Sequence, residues 1–283
     1  MRTFSSVGTA DPTTASRVTR GLLIFFGTAF SLSWLIVGIM VLLVGRTSLP
    51  AMVAVSLFLF GPLVAAFGAS TYEQGRAGVY ELLAQYARWR APLRWYAIAL
   101  TVPALIVGVS ALLFVLLGGP VPPALPPSIW LSAPLLLLAF VVLGLMEQGG
   151  WRGYALPRLQ QYVGALPASL MLGVLHACWH LPLYFIPGAG FDTVAFPVYL
   201  VITTALSVLF TWVYNNTSRS LLLVSLMHAG VNVWMSNLWG RAVASLPPGT
   251  PLPDASILYA VALTAAAIVV AVGTDWRTLM GRS

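Results

Sequence analysis

The chain has 283 residues, 59% of them hydrophobic and 7% charged, and a formal charge of +7 from 14 basic and seven acidic side chains. A soluble domain carries about 25% charged residues, so a water-soluble globular fold is excluded and lipid must be the solvent. Every basic residue is arginine, but the arginines lie between apolar runs and not in one block or along one face, which argues against nucleic-acid binding and marks them as topology signals.

A helix crossing a hydrocarbon core of roughly 30 Å needs about 20 apolar residues. Runs of that kind occur at 21–44, 49–69, 95–118, 128–146, 166–187, 194–214, 219–238 and 256–273. They predict an all-α integral membrane protein of about eight transmembrane helices in one bundle. Residues 1–20 read as a cytoplasmic tail, retained because the first apolar run is too long for a cleaved signal. Residues 21–127 hold the first three spans, and within them 72–94 mixes tyrosines, leucines and tryptophans with four arginines, as an amphipathic helix in the headgroup region would. Pro103 and Pro134 fall inside spans, where neighbouring helices absorb the freed carbonyls. Residues 128–238 form a core, and 239–283 hold the last outer loop, the final span and a short tail.

With both termini in the cytoplasm, the inner segments take 12 of the 14 arginines and the outer ones only Arg46 and Arg241. That asymmetry follows the positive-inside rule and fixes count and orientation together. The outer connections, Gly118-Gly-Pro-Val-Pro-Pro and Leu246-Pro-Pro-Gly-Thr-Pro, read as turns. The single cysteine, Cys178, excludes an intrachain disulfide and a multi-cysteine metal site.

Ionisable groups at membrane depth are costly, so their positions point to function. Here they gather in the C-terminal half: Glu147 at the end of the fourth span, His176 and His180 on the fifth, and His228 on the seventh, where Asn232 follows it. Both pairs have the i, i+4 spacing that puts two side chains on one helical face. Taken singly, an intramembrane histidine also serves as an interhelical hydrogen bond, and His180, followed by Leu-Pro, reads as structural. Trp151 and Trp179 read as interface anchors. Arg152 is either a topology arginine or the partner of a buried carboxylate. Five residues from Glu147, it sits off-face on a straight helix, although Gly149-Gly150 offers a break. Together Glu147, His176, His228 and Asn232 would line a polar pocket with two routes to peptide hydrolysis. Either Glu147 and a histidine activate water while His228 and Asn232 receive the oxyanion, or Glu147, His176 and His228 hold a zinc ion whose water attacks.

At these residues the chain resembles the CAAX-protease and bacteriocin-processing (Abi) family of intramembrane peptidases, marked by E-E-x-x-x-R, F-x-x-x-H and H-x-x-x-N. Glu147-Gln-Gly-Gly-Trp-Arg152, Leu172-Gly-Val-Leu-His176 and His228-Ala-Gly-Val-Asn232 stand at the three motifs, and the resemblance covers roughly residues 128–238. It implies an intramembrane endopeptidase in which Glu147 and His176 activate water, His228 and Asn232 stabilise the oxyanion, and Arg152, Gln148 and His180 support them. Gln148 replaces the family's second glutamate, which weakens the case for a tightly bound metal, and Leu172 replaces its phenylalanine. The partners implied are a peptide or protein substrate, lipid-associated, and membrane lipid. Exclusive use of arginine points to a GC-rich bacterial genome, hence a bacterial inner membrane. A non-catalytic immunity or scaffold protein is the competing reading, and a transporter the third.

Overall fold

The computed structural model describes residues 12–44, 51–121, 124–186, 191–247 and 254–281, which leaves Arg2, Arg46, Arg282, residues 122 and 123 of the first Pro/Gly-rich outer turn and 248–251 of the second outside the described residues. The described residues are helical almost throughout, as a backbone must be if every N–H and C=O is to be satisfied within lipid. Helix α1 (Pro12–Val44) begins well ahead of the first apolar run, with Pro12 at its start, where a missing N–H costs nothing. The second run is divided into α2 (Ala51–Phe58) and the long α3 (Phe60–Tyr86), which is kinked at Gly75 (φ 59°, ψ −141°). Positive φ of this kind is open to glycine without a Cβ clash.

Helix α4 (Leu93–Leu116) runs unbroken over Pro103, and α5 (Pro127–Gln148) over Pro134. The fourth run does not end before Glu147. A π-helical stretch, Gly149–Ala155, carries the chain directly into α6 (Leu156–Val163), so one continuous helix spans 127–163. After α7 (Ala165–His180) and a 3₁₀ turn come α8 (Phe196–Asn216) and α9 (Leu221–Val231). A second π-helical stretch, Asn232–Trp239, leads to α10 (Gly240–Ala244), and α11 (Ala255–Gly273) follows. Among the described residues seven helices are long and apolar enough to cross a membrane. The run at 49–69 makes up the eighth stretch in two pieces, because the turn at Leu59 interrupts it.

Helix α1 packs along α3, α7 along α8, α5 against α9, and α11 against α8 and α4. Leu131, Leu135 and Leu138 on α5 face outward, as lipid-contacting side chains do. The tightest approaches use glycine. A Cβ on Gly150 would stand 2.6 Å from the Pro62 carbonyl oxygen of α3, and one on Gly173 would stand 2.4 Å from the Thr204 Cα of α8. A short hairpin, β1 (Thr274–Asp275) with β2 (Met280–Gly281), follows α11 and folds back over the start of α7. The Trp276 and Arg277 carbonyls accept from the Leu166 and Ala165 N–H groups, and Asn215 and Asn216 of α8 donate to the Thr278 and Leu279 carbonyls. Two N–H groups that a helix start leaves unpaired are thereby satisfied by backbone.

A candidate active site where three helices meet

The last turn of α5 buries Glu147 and Gln148, and the π-helical stretch after it buries Trp151 and Arg152. Wider i→i+5 turns of this type concentrate at functional sites. Here the turn corrects the five-residue spacing between Glu147 and Arg152, so that both reach one imidazole. Glu147 Oε1 lies 2.8 Å from His176 Nε2, and Arg152 Nη1 lies 3.4 Å from His176 Nδ1. The carboxylate approaches beside the ring N–H direction, making a close contact without a well-aligned hydrogen bond. Arg152 is therefore no topology arginine. It is buried, lies 5.1 Å above the Phe210 ring, and offers a guanidinium with hydrogens and no lone pair.

Trp151 and Trp179 are not interface anchors either, since both are fully buried. Trp151 stacks on His176 (4.6 Å, 17°), His176 on His180 (4.9 Å, 26°) and His180 on Phe191 (5.4 Å, 26°), while Phe58 of α2 stacks on Trp179 (4.0 Å). The signal for Trp151 lay in its place between Glu147 and Arg152, on a segment whose backbone had to turn toward the site. His180 Nδ1 donates to the His176 carbonyl at 3.0 Å, which leaves Nε2 as its acceptor.

From α9, His228 brings Nδ1 to 3.9 Å from Glu147 Oε1 and 3.1 Å from the Gln148 amide nitrogen. The same amide nitrogen donates to Glu147 Oε1 at 3.3 Å. Asn232 is half-buried one turn beyond His228, at the residue where α9 gives way to the second π-helical stretch. Glu147, His176 and His228, drawn from three spans by the sequence reading, are thus brought together, and His180 joins them.

Among the described residues, one ligand atom from each of Glu147, His176 and His180 falls within 4.8 Å of the others. A zinc ion needs an imidazole lone pair at each histidine. Because Arg152 only donates, His176 Nδ1 must accept and its hydrogen sits on Nε2, the nitrogen facing Glu147. As arranged, the set fits zinc poorly. In the alternative set with His228, that ring's Nδ1 faces the Gln148 amide.

Membrane-crossing helices around a buried carboxylate and imidazoles define an integral membrane protein with an acid–imidazole centre. Residues 128–234 match the family described as type II CAAX prenyl endopeptidase Rce1-like. The chain is also 27% identical over 141 residues to CAAX prenyl protease 2 of Methanococcus maripaludis, across 48% of this chain and 47% of that protein. It therefore spans about half the length of this relative. By its core, then, the chain is similar to CAAX prenyl endopeptidases of the Rce1-like type.

Proposed function

We propose that the protein is an intramembrane endopeptidase that hydrolyses a peptide bond with water activated by Glu147 and His176. The observation that carries this reading is the buried 2.8 Å contact between Glu147 Oε1 and His176 Nε2, with Arg152 behind the ring. Glu147 takes a proton from water while the water oxygen attacks the carbonyl carbon. The resulting oxyanion accepts hydrogen bonds from His228 and Asn232, and collapse of the intermediate passes the proton to the leaving amine. The substrate is a peptide or protein held at the membrane, lipid-associated as the name of the archaeal relative suggests. The arginine distribution supports cytoplasmic termini, and arginine-only usage supports a bacterial plasma membrane.

A zinc-dependent centre is the second reading, favoured by the 4.8 Å cluster of Glu147, His176 and His180. A non-catalytic immunity or scaffold role is favoured by Gln148 standing where the family motif has an acid. All three are separated by cleavage of a quenched peptide library with isoprenylated members, using detergent-purified protein and its Glu147→Ala variant, each with and without chelator. The expected result is cleavage that withstands the chelator and falls by about 10²–10⁴-fold in the variant. Loss on chelation would favour zinc, and silence from folded wild-type protein would favour the non-catalytic role.

A further inference from the structure

Gln148 is the point at which this chain departs from the acidic motif of the family it resembles, and its surroundings assign it a task. The side chain is fully buried beside a carboxylate that, when ionised, has acceptors only. An amide turned the other way would set its oxygen against Glu147 Oε1 in a dry site, so the NH₂ group must face the carboxylate, as it does at 3.3 Å. The same NH₂ has a second hydrogen, and His228 Nδ1 lies 3.1 Å away. On the α5 side, Gly144 brings no polar side chain, and a Cβ added there would lie 3.5 Å from Nδ1. Glu147 Oε1 itself is 3.9 Å off, beyond hydrogen-bonding reach. His228 Nδ1 is therefore an acceptor.

We propose that Gln148 is a positioning residue that holds His228 as the Nε2–H tautomer, making a neutral imidazole a hydrogen-bond donor to the site. A carboxylate at this position would demand a hydrogen on Nδ1, and Nε2 could then donate only from a doubly protonated ring. The glutamine gives the same outward donor without a charge, and the 16% exposure of the His228 side chain, against 5% for His176, leaves its ring the more open of the two. The inference rests on His228 acting as an oxyanion donor only for its consequence in catalysis. The tautomer stands on the contacts alone.

The test is nitrogen NMR of histidine-labelled full-length protein in detergent, with the three rings assigned by single replacement. A pyrrole-type Nε2 and a pyridine-type Nδ1 at His228 are expected. Gln148→Leu, or Glu147→Gln, which replaces the acceptor-only carboxylate by an amide able to present either an acceptor or a donor and so no longer fixes the Gln148 amide, should give a tautomer mixture. Gln148→Glu should place a hydrogen on Nδ1. On any peptide that the wild type cleaves, Gln148→Leu should lower kcat by about 10²-fold, at the lower end of the loss of one oxyanion donor, with KM little changed. A hydrogen on Nδ1 in the wild type, or a His228 signal unmoved in both Gln148→Leu and Glu147→Gln, would overturn the proposal whatever the activity. An Nε2–H signal that shifts in the variants supports it even in a protein that cleaves nothing, an outcome that would count against the peptidase reading instead.

Discussion

At the scale of single residues, the site's logic lies in which groups can only donate. Arg152 has five N–H donors and no acceptor, so its approach to His176 Nδ1 decides where that imidazole keeps its hydrogen. Replacing it by methionine removes both the donor and a buried charge. Arg152→Met is expected to lower kcat by at least about 10²-fold, while Arg152→Lys, which keeps a donor on a shorter reach, retains more of it. Steady-state kinetics on both variants, with a melting curve for each, check this, and equal losses in the two would remove the donor argument. Glu147, His176 and His228, which the structure brings together, were legible in the sequence because ionisable groups in apolar runs stand out, whereas Asn232 stood out only for its spacing from His228. Their neighbours were not. Trp151 and Trp179 are ordinary for a membrane boundary, and only packing reveals that they wall the imidazoles.

At the scale of elements, hydropathy located the spans but not where they stop or how they wind. A fourth span ending at 146 would have left Glu147 at a helix terminus, whereas the helix continues to Val163 through a π-helical stretch. Nothing in an apolar average distinguishes i→i+4 from i→i+5 hydrogen bonding. The Gly149-Gly150 pair was the visible trace of it, read as a break. Its physical reason is the closeness of α3, since a Cβ on Gly149 would fall 1.8 Å from the Tyr86 hydroxyl and one on Gly150 would meet the Pro62 backbone. Gly150→Ala should therefore destabilise by about 1–3 kcal/mol, the usual result of overpacking. Gly108→Ala on α4, where nothing lies within 4 Å, serves as the control and should be near neutral. Thermal unfolding in detergent compares them, and equal melting temperatures would mean that α3 yields freely.

At the scale of the molecule, the spans ahead of the matched residues 128–234 are part of the site's frame. Phe58 supports Trp179, Pro62 abuts Gly150, and Glu73 accepts from Tyr154 (2.6 Å) and pairs with Arg158 (2.6 Å) across α3 and α6. Glu73 is one of only seven acidic residues, and its burial in an arginine-rich stretch is the signal that sequence reading passed over. Breaking a buried pair leaves an uncompensated charge, so Glu73→Ala should cost about 3–5 kcal/mol, and adding Arg158→Leu should recover part of it. A double-mutant cycle in detergent measures the coupling, and additive losses would refute it. The hairpin after α11 has its own consequence for the order of assembly. The carbonyls that close the first turn of α7 belong to residues translated after α11, so a nascent chain that has only reached Gly273 holds His176 and His180 on a helix whose first two amides still lack those partners. The start of the histidine helix is completed only when the chain that follows α11 folds back to meet it.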